Sequence, residues 1–503
     1  MLSQKKKSLF IFTQLEANYK ISSNYKSYEH RKGYEMKVIK SNKVTNKFKV
    51  SILISTYNKE KFIENTLNSI LAQTMNKNDF ELIIVDDCST DNTLDIISKK
   101  IESFSNYQFV QLDENSGTPA KPRNLSIDLS KGKYIMFVDG DDWLPSDALE
   151  NLYTLLKSNK TDYATGLTKY VYSDRIARSG VALSKIAYNK VGLKNFRKSF
   201  YHLAPAGRMM KSSVIKKNNI RFPEMIFGED LQFFAEVFFN TKNISTTQDV
   251  VYCANRYDEN ISLVKSEAST VLNRIKWQNE AYRYLTKKYK NNKIFANLLY
   301  RIINKDILEG KFYKKGFIKN IDTLLPVFQD ILNTIDNDFN SLDYADDTLN
   351  QHALTLIKNG DKDEIIDFVN FYLKKDEKPL YLSNDKYYYV YKENKYKKRM
   401  HIILQKIIKK DENIFLKLYS KNSELKYLEI KNRKDPTNYT VLEIKKHLFK
   451  TGEYTVQFKA NELSKGKLAL TVLDKDLNGA AIKSGMQFDF YETVNGNLGY
   501  IKK

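Results

Sequence analysis

The stretch Tyr134-Ile135-Met136-Phe137-Val138-Asp139-Gly140-Asp141-Asp142 constrains this chain more than any other. An unbroken apolar run that ends in carboxylates predicts a strand buried on both faces, as in a parallel sheet, with acids delivered to its C-terminal end. Ligands bind at that end in open α/β sheets. Acids spaced Asp-x-Asp also suit a hard divalent cation. Mg²⁺ and Mn²⁺ take oxygen ligands, commonly one or two carboxylates, and substrate phosphates fill the other positions. Alone the spacing is weak, because paired aspartates are common in loops and helix caps. Its setting gives it weight.

Upstream of this run the pattern alternates. Val50 to Ser55 reads as a strand, and Lys59 to Thr74 carries Phe62, Ile63, Leu67, Ile70 and Leu71 at helical spacing. Phe80 to Val85 is a second strand, ending in Asp86-Asp87. Ser89 and Thr90 are suited to cap a helix bearing Leu94, Ile96, Ile97 and Ile101. Tyr107 to Leu112 is a third strand, followed by a Pro-containing turn and a helix through Leu125 and Leu129. Pro145 and Ser146 open a further helix. Strand and helix in repeated alternation predict a mainly parallel, Rossmann-like sheet with right-handed crossovers.

The 503-residue chain requires more than one domain. Residues 1–48 form a basic leader, with twelve Lys and Arg against three Glu through Lys49. Its sequence leaves two forms open, an arm or an extra layer on the next domain. Residues 49–265 form the α/β domain. Residues 266–410 read as a helical linker region, with Ile303, Ile307 and Ile331, Ile335 at helical spacing. Tyr387 to Tyr391 reads there as a strand or a packed face. From 411 to 503 short alternating runs, such as Phe415 to Tyr419, Tyr454 to Phe458, Leu468 to Leu473 and Met486 to Phe490, predict a small β-sandwich. Without acid pairs or histidine clusters, its expected role is oligomerisation or polymer binding.

The 82 Lys and Arg against 60 Asp and Glu give a net charge of +22, which favours a polyanionic partner or an anionic lipid surface. No zinc-finger or RNA-binding signature is present, so no nucleic-acid partner is expected. Cys88 and Cys253 support neither a disulfide framework nor a cysteine zinc site, and no apolar run approaches the ~20 residues needed to span a bilayer. A cytoplasmic protein is expected, with peripheral association at the inner face of the membrane.

Four further segments supply candidate chemistry. Asp87, after the second strand, can accept a uracil N–H, although helix capping explains Asp86-Asp87 equally well. Asn115 and Arg123, in Asn115-Ser116-Gly117-Thr118-Pro119-Ala120-Lys121-Pro122-Arg123, offer an amide and a guanidinium to a nucleotide. This stretch lacks the glycines of a dinucleotide or phosphate-binding loop, so a diphosphate here needs a cation and arginine. Gly228-Glu229-Asp230 places two acids before an apolar helix. A transfer to a hydroxyl needs a base there, but acids are also favourable in any first helical turn. Arg256 offers charge to a leaving diphosphate.

Together, Ser55-Thr56-Tyr57-Asn58, Val85 to Asp91, Asn115-x-Gly117, Pro122-Arg123-Asn124, Asp139-Gly140-Asp141-Asp142 and Gly228-Glu229-Asp230 resemble the family 2 glycosyltransferases with the GT-A fold. The likeness extends to the wall-teichoic-acid β-N-acetylglucosaminyltransferases of Gram-positive bacteria, especially over Asn68 to Asn92. It covers roughly Phe48 to Val264. The resemblance implies inverting transfer from a UDP-sugar donor to an anionic acceptor such as teichoic acid. It implies that Tyr57, Asp87, Asn115 and Arg123 bind the donor and that Asp139 and Asp141 hold Mn²⁺ or Mg²⁺, Asp141 the more direct ligand. Asp230 would be the catalytic base with Glu229 beside it, and Arg256 and Ser262 would close over the diphosphate. Those relatives can also trimerise through C-terminal immunoglobulin-like modules, an architecture with which residues 266–503 are compatible.

Ser55 stands where relatives often have Pro, and the Gln-x-x-Arg-Trp motif of processive synthases is missing. Other readings are transfer to capsule or another surface polysaccharide, a sugar nucleotidyltransferase, and a non-catalytic polymer-binding scaffold. The second lacks its Gly-rich loop after the first strand; intact Asp139, Asp141 and Asp230 weigh against the third.

Overall fold

The computed structural model describes residues 27–31, 34–42, 47–260, 270–384, 386–420, 424–447, 452–463, 466–482, 490–492 and 498–502. Strands β3 (Val50–Thr56), β4 (Phe80–Asp86), β5 (Tyr107–Leu112) and β6 (Tyr134–Asp139) pair in parallel in the order β5-β4-β3-β6. Nearly every β3, β4 and β6 residue is buried, which explains their near-continuous apolar sequences. Leu53, Ile83 and Phe137 enter one core, while Ile52, Ile54, Leu82, Ile84, Met136 and Val138 enter the other, on the opposite face. The period of two along each strand divides the two cores.

Helix α1 (Ile63–Leu71) buries Ile63, Leu67 and Ile70, spaced four and three residues apart as one helical face requires. Helix α2 (Thr93–Lys100) begins later than Ser89 and Thr90 suggest, and neither residue caps it. The Ser89 hydroxyl donates to Asp86 at 2.5 Å, and the Thr90 N–H donates to Asn58 at 2.8 Å. Those side chains tie the ends of β3 and β4 together instead. Helix α3 (Ala120–Leu129) is buried along nearly its whole length and packs on β3 and β4, and α4 (Ala148–Asn159) covers the other face.

Beyond β6 the sheet continues through β7 (Tyr163–Val171), β8 (Ile176–Ser179), β9 (Tyr188–Gly192), β10 (Arg208–Lys211) and β11 (Asn243–Asn255). Antiparallel β10 separates β6 from β7. The apolar stretch Phe233 to Phe239 belongs to helix α5 (Glu229–Phe239). Phe137 of β6 meets Phe222 and Phe233 edge-on at 5.4 and 5.8 Å, and these two rings stack 3.8 Å apart. Such aromatic pairs add about 0.5–1.5 kcal/mol each beyond their buried area. They also hold the start of α5 beside the end of β6, which positions the site.

Three features differ from the sequence reading. First, of the two forms left open for the basic leader, residues 27–31 and 34–42 take neither an arm nor a separate layer but add strands to the sheet itself. Strand β1 (Ser27–Arg31) pairs with β2 (Tyr34–Asn42), and β2 pairs antiparallel with β5. Second, Ile303 and Ile307 lie on a π-helical segment, Arg301–Phe312, rather than a regular α-helix, and both are buried. Third, the region 266–410 is not helical throughout. Its helices, including α6 (Val271–Tyr289), give way to a small sheet of Tyr381–Ser383, Lys386–Tyr391 and Asn394–Lys397, in which Tyr387 to Tyr391 form the strand read from the sequence. The strand Ile403–Lys410 then pairs with Asn413–Tyr419 across the expected boundary at 410.

Among the described residues, the C-terminal part has a four-stranded and a six-stranded sheet around a shared core that includes Leu416, Leu418, Leu428, Val456 and Val472. Of the expected run Met486 to Phe490, only Phe490 lies within the described residues. This unit docks on the β7–β8 hairpin. Glu429, on its strand Leu425–Asn432, is 1 % exposed and receives Arg178 of β8 at 2.6 Å. The Arg178 guanidinium also lies over the Tyr439 ring at 4.5 Å, and the Tyr439 hydroxyl donates to the Ser184 carbonyl. Lys169 of β7 meets Asp435 at 3.0 Å. Among the described residues no helix is long and apolar enough to cross a membrane.

Met36 of β2 is fully buried in the core that also holds Leu53 and Val110. Met36→Ala is therefore expected to lower stability by about 2–5 kcal/mol, read as a lower urea midpoint at unchanged slope. A change under about 0.5 kcal/mol, the size of ordinary surface substitutions, would show that the hairpin lies outside the cooperative core.

Candidate active site

Strand β6 ends at Asp139, whose backbone N–H donates to the Tyr252 hydroxyl of β11 at 3.0 Å. Gly140 follows because the chain passes close to β3: a Cβ there would lie 2.9 Å from the Thr56 hydroxyl oxygen. The three acids after Val138 then separate. Asp142 turns inward, accepting from the Tyr252 hydroxyl at 2.8 Å and the Asn255 N–H at 2.7 Å. Burial, with Asp141 and Asp139 nearby, holds its carboxyl well above the usual range, so Asp142 is a buried fastening between β6 and β11. Asp139 and Asp141 stay at the cleft.

Arg123 reaches this edge from α3. Its Nη2 donates to Asp139 Oδ1 at 3.0 Å and its Nη1 to Asp230 Oδ1 at 2.7 Å, while Glu229 Oε1 lies 3.5 Å from Nη1. Acids from β6 and from the first turn of α5 therefore converge on one buried guanidinium. Burial opposes the Arg123 charge, but Asp230, Asp139 and Glu229 outweigh it and hold the guanidinium above its ordinary value. Burial raises the Asp230 carboxyl, against the lowering pull of Arg123. It raises Glu229 further, to about 8, with Asp230 adding to the shift and Arg123 opposing it. Gly228, at φ +91°, begins α5 in a left-handed turn that only glycine adopts freely.

The donor-side residues occupy neighbouring strand ends. Asp86 is wholly buried and accepts from Ser89 and Gln111, a fastening role. Asp87 accepts from the Ser116 N–H at 3.0 Å and its hydroxyl at 2.9 Å. The Asn115 amide donates to the Asp87 backbone carbonyl at 3.1 Å. Burial raises the Asp87 carboxyl, and Ser116 opposes that shift. Tyr57, after β3, is 43 % exposed.

The Arg256 guanidinium stacks over Tyr170 at 4.6 Å and donates to the Asn255 carbonyl. Burial opposes the Arg256 charge, but Asp142, Tyr170 and Asp139 outweigh it and raise the guanidinium. Ser262 lies outside the described residues.

Several site residues escaped sequence reasoning. Lys59 meets Asp141 at 2.8 Å, Asn260 donates to the same carboxylate at 2.9 Å, and Ser116 supports Asp87. Ser116 and Asn260 were detectable only as members of motif-bearing segments; nothing in the sequence distinguishes Lys59 from other lysines. Among the described residues, no group of three or more His, Cys, Asp or Glu side chains is arranged to hold a metal.

Glu229 gives a test of this burial. Its carboxyl is raised from 4.5 to about 8 in the folded chain, so its stabilisation is complete below the unfolded value and is lost as pH rises through about 8. Glu229→Gln is expected to flatten the decline in unfolding free energy across that window, measured by urea titration at stepped pH. An unchanged decline would show that Glu229 is not the buried acid responsible.

Comparison with known proteins bears on the family and the fold. The family described as Glycosyl transferase family 2 matches residues 51–218. The chain is 37 % identical over 205 residues to a poly(ribitol-phosphate) beta-glucosyltransferase of Bacillus spizizenii, covering 41 % of this chain and 32 % of that protein. It thus spans about a third of that relative's length. It is 35 % identical over 281 residues to the poly(ribitol-phosphate) beta-N-acetylglucosaminyltransferase TarP of Staphylococcus aureus, covering 54 % of this chain and 82 % of TarP. The crystal structure of S. aureus TarS 1-349 in complex with UDP-GlcNAc shares the fold, with a TM-score of 0.57 at 24 % identity over 70 % of this chain and 99 % of that one. The extent of the TarP match, joined to the strand-end acids, places the chain in glycosyl transferase family 2.

Proposed function

We propose that this chain is an inverting transferase that moves GlcNAc or another hexose from a UDP-sugar to a hydroxyl of an anionic cell-surface polymer such as wall teichoic acid. The observation that carries the reading is the convergence of Asp139, Glu229 and Asp230 on Arg123 at the C-terminal edge of β6. Tyr57, Asp87 and Asn115 stand at the adjoining strand ends, where a uridine would lie, and Arg256, directly after β11, would meet the diphosphate.

Asp230 acts as the base. As the acceptor hydroxyl attacks the anomeric carbon from the face opposite the diphosphate, its proton passes to the Asp230 carboxylate. The bond from sugar to diphosphate breaks, and its electron pair leaves with UDP. An α-linked donor then gives a β-linked product with no covalent intermediate. Arg123 keeps Asp230 oriented throughout. Glu229, whose carboxyl is raised by burial, stands beside it to position the sugar or acceptor.

Asp139 and Asp141 fit Mg²⁺ or Mn²⁺, because these hard cations are commonly held by one or two carboxylates plus substrate phosphates. Such a cation supplies Lewis-acid neutralisation of charge on the departing UDP. For the acceptor, the support is the names of the relatives and a net charge of +22, which attracts a phosphate-bearing polymer. The same charge supports a cytoplasmic enzyme working against the inner face of the membrane, and the C-terminal unit is the surface through which copies would associate.

The purified chain with Mn²⁺ and UDP-GlcNAc or UDP-glucose is expected to release UDP when extracted teichoic acid is added. Release only with capsule would move the acceptor to another surface polysaccharide, and no acceptor-dependent release would overturn the transferase reading. Asp230→Asn is expected to lose ~10²–10⁴-fold in transfer while still binding UDP-sugar by calorimetry; equal transfer would remove the base assignment. Asp141→Ala should weaken donor binding only when Mn²⁺ is present, and undiminished binding would count against its ligand role.

A further inference from the structure

Each acid of the Asp139–Asp141 pair already has a cation from the chain itself. Asp139 has Arg123, which it shares with α5. Asp141 has Lys59, in a closed triangle: Lys59 Nζ lies 2.8 Å from Asp141 Oδ2 and donates to Asn260 Oδ1 at 3.1 Å, while Asn260 Nδ2 donates to the same Asp141 oxygen at 2.9 Å. Side-chain exposure is only 18 % for Lys59 and 14 % for Asp141, so the contact is far less screened than a surface ion pair.

The backbone under Lys59 is fixed. Its N–H donates to the Thr93 hydroxyl at 2.7 Å, the Asn58 N–H to Ser89 at 2.8 Å, and the Glu60 N–H to Asp91 at 3.1 Å. Asn58 accepts in return from the Thr90 N–H. The loop is therefore a rigid mount, and the freedom left at Lys59 belongs to its four-carbon stem, which carries a compact ammonium able to exchange one oxygen for another.

We infer that Lys59 is a positioning cation for donor binding: it competes with the divalent ion for Asp141 and moves its ammonium to the donor diphosphate when ion and donor enter. This inference rests on the transferase reading above. Before loading, the ammonium offsets a carboxylate that is largely desolvated. After loading, the divalent ion balances the doubly charged diphosphate, and Asp141 leaves one negative charge over. Lys59 supplies the matching positive charge without leaving the cleft. When the sugar departs, UDP gains a further negative charge, and an ammonium on its oxygens becomes more strongly held than in the ground state.

The two halves of the inference predict shifts of opposite sign. In the absence of nucleotide, Lys59→Met is expected to bind Mn²⁺ about tenfold more tightly by electron paramagnetic resonance titration, since a charged hydrogen bond no longer has to be displaced. With Mn²⁺ saturating, the same variant is expected to bind UDP about tenfold more weakly by calorimetry. Lys59→Arg, which keeps the charge, should stay within about threefold of the unmodified chain in both. Lys59→Gln repeats the test should the Met variant fail to fold. Unchanged or weaker Mn²⁺ binding, or unchanged UDP binding, in the neutral variants overturns the inference; a purely structural Lys59 would weaken both together. Acceptor-dependent UDP release by the unmodified chain separates the two readings. Transfer without the opposed shifts removes only the Lys59 role, whereas opposed shifts without transfer remove only the transferase reading.

Discussion

One guanidinium makes the active-site edge possible. Asp230 is 107 residues from Arg123 in sequence and Asp139 is 16, yet both accept from it. Like charges about 4 Å apart repel by roughly 4 kcal/mol at the effective dielectric near a protein surface, and more when buried. Three acids could not share this edge in their charged forms without a cation among them. A buried pair of this sort does little for net stability, because desolvation offsets the attraction. What Arg123 supplies is register: it fixes where the start of α5 stands relative to the end of β6.

The packing beneath makes that register reproducible. Phe137, Phe222 and Phe233 form a ring cluster directly under the acids, so the strand and helix cannot slide without opening the core. Gly228 then turns the chain so that Glu229 and Asp230 open the helix at the cleft. The helix N-terminus favours negative charge, whereas burial disfavours it. Burial prevails in both carboxyls, which are held above their ordinary range. A base raised in this way holds a proton more firmly when it takes one, as abstraction from a hydroxyl requires.

Much of the α/β domain was legible because β3, β4 and β6 are buried on both faces and α1 on one, so burial writes itself directly into residue periodicity. The sheet's far edge was not. In β2, Met36 and Val38 pack into one core and Ile39 against the other, and a register shift between Val38 and Lys40 breaks the alternation that would mark a strand. Lys40 hides it further, since its ammonium turns aside to the Ser98 carbonyl and Glu102. At the site, the acids were legible from their position after apolar runs. Their division of labour was not, because Asp86 and Asp142 differ from Asp87 and Asp141 only in which neighbours fold over them. Arg123 was singled out as a nucleotide ligand, but no sequence pattern could reveal that it stands between two distant acid segments. Lys59 carried no signal at all, because its importance comes wholly from Asp141 and Asn260 meeting it in space.

Glu429 of the C-terminal unit is nearly inaccessible and closes over Arg178 of β8, which itself lies under Tyr439. That junction makes the two halves of the chain poor candidates for separation or exchange. Severed before Glu429, the catalytic half would be left with an orphaned arginine in a seat shaped for another domain. A graft from elsewhere would have to bring a carboxylate and an aromatic ring to the same spots.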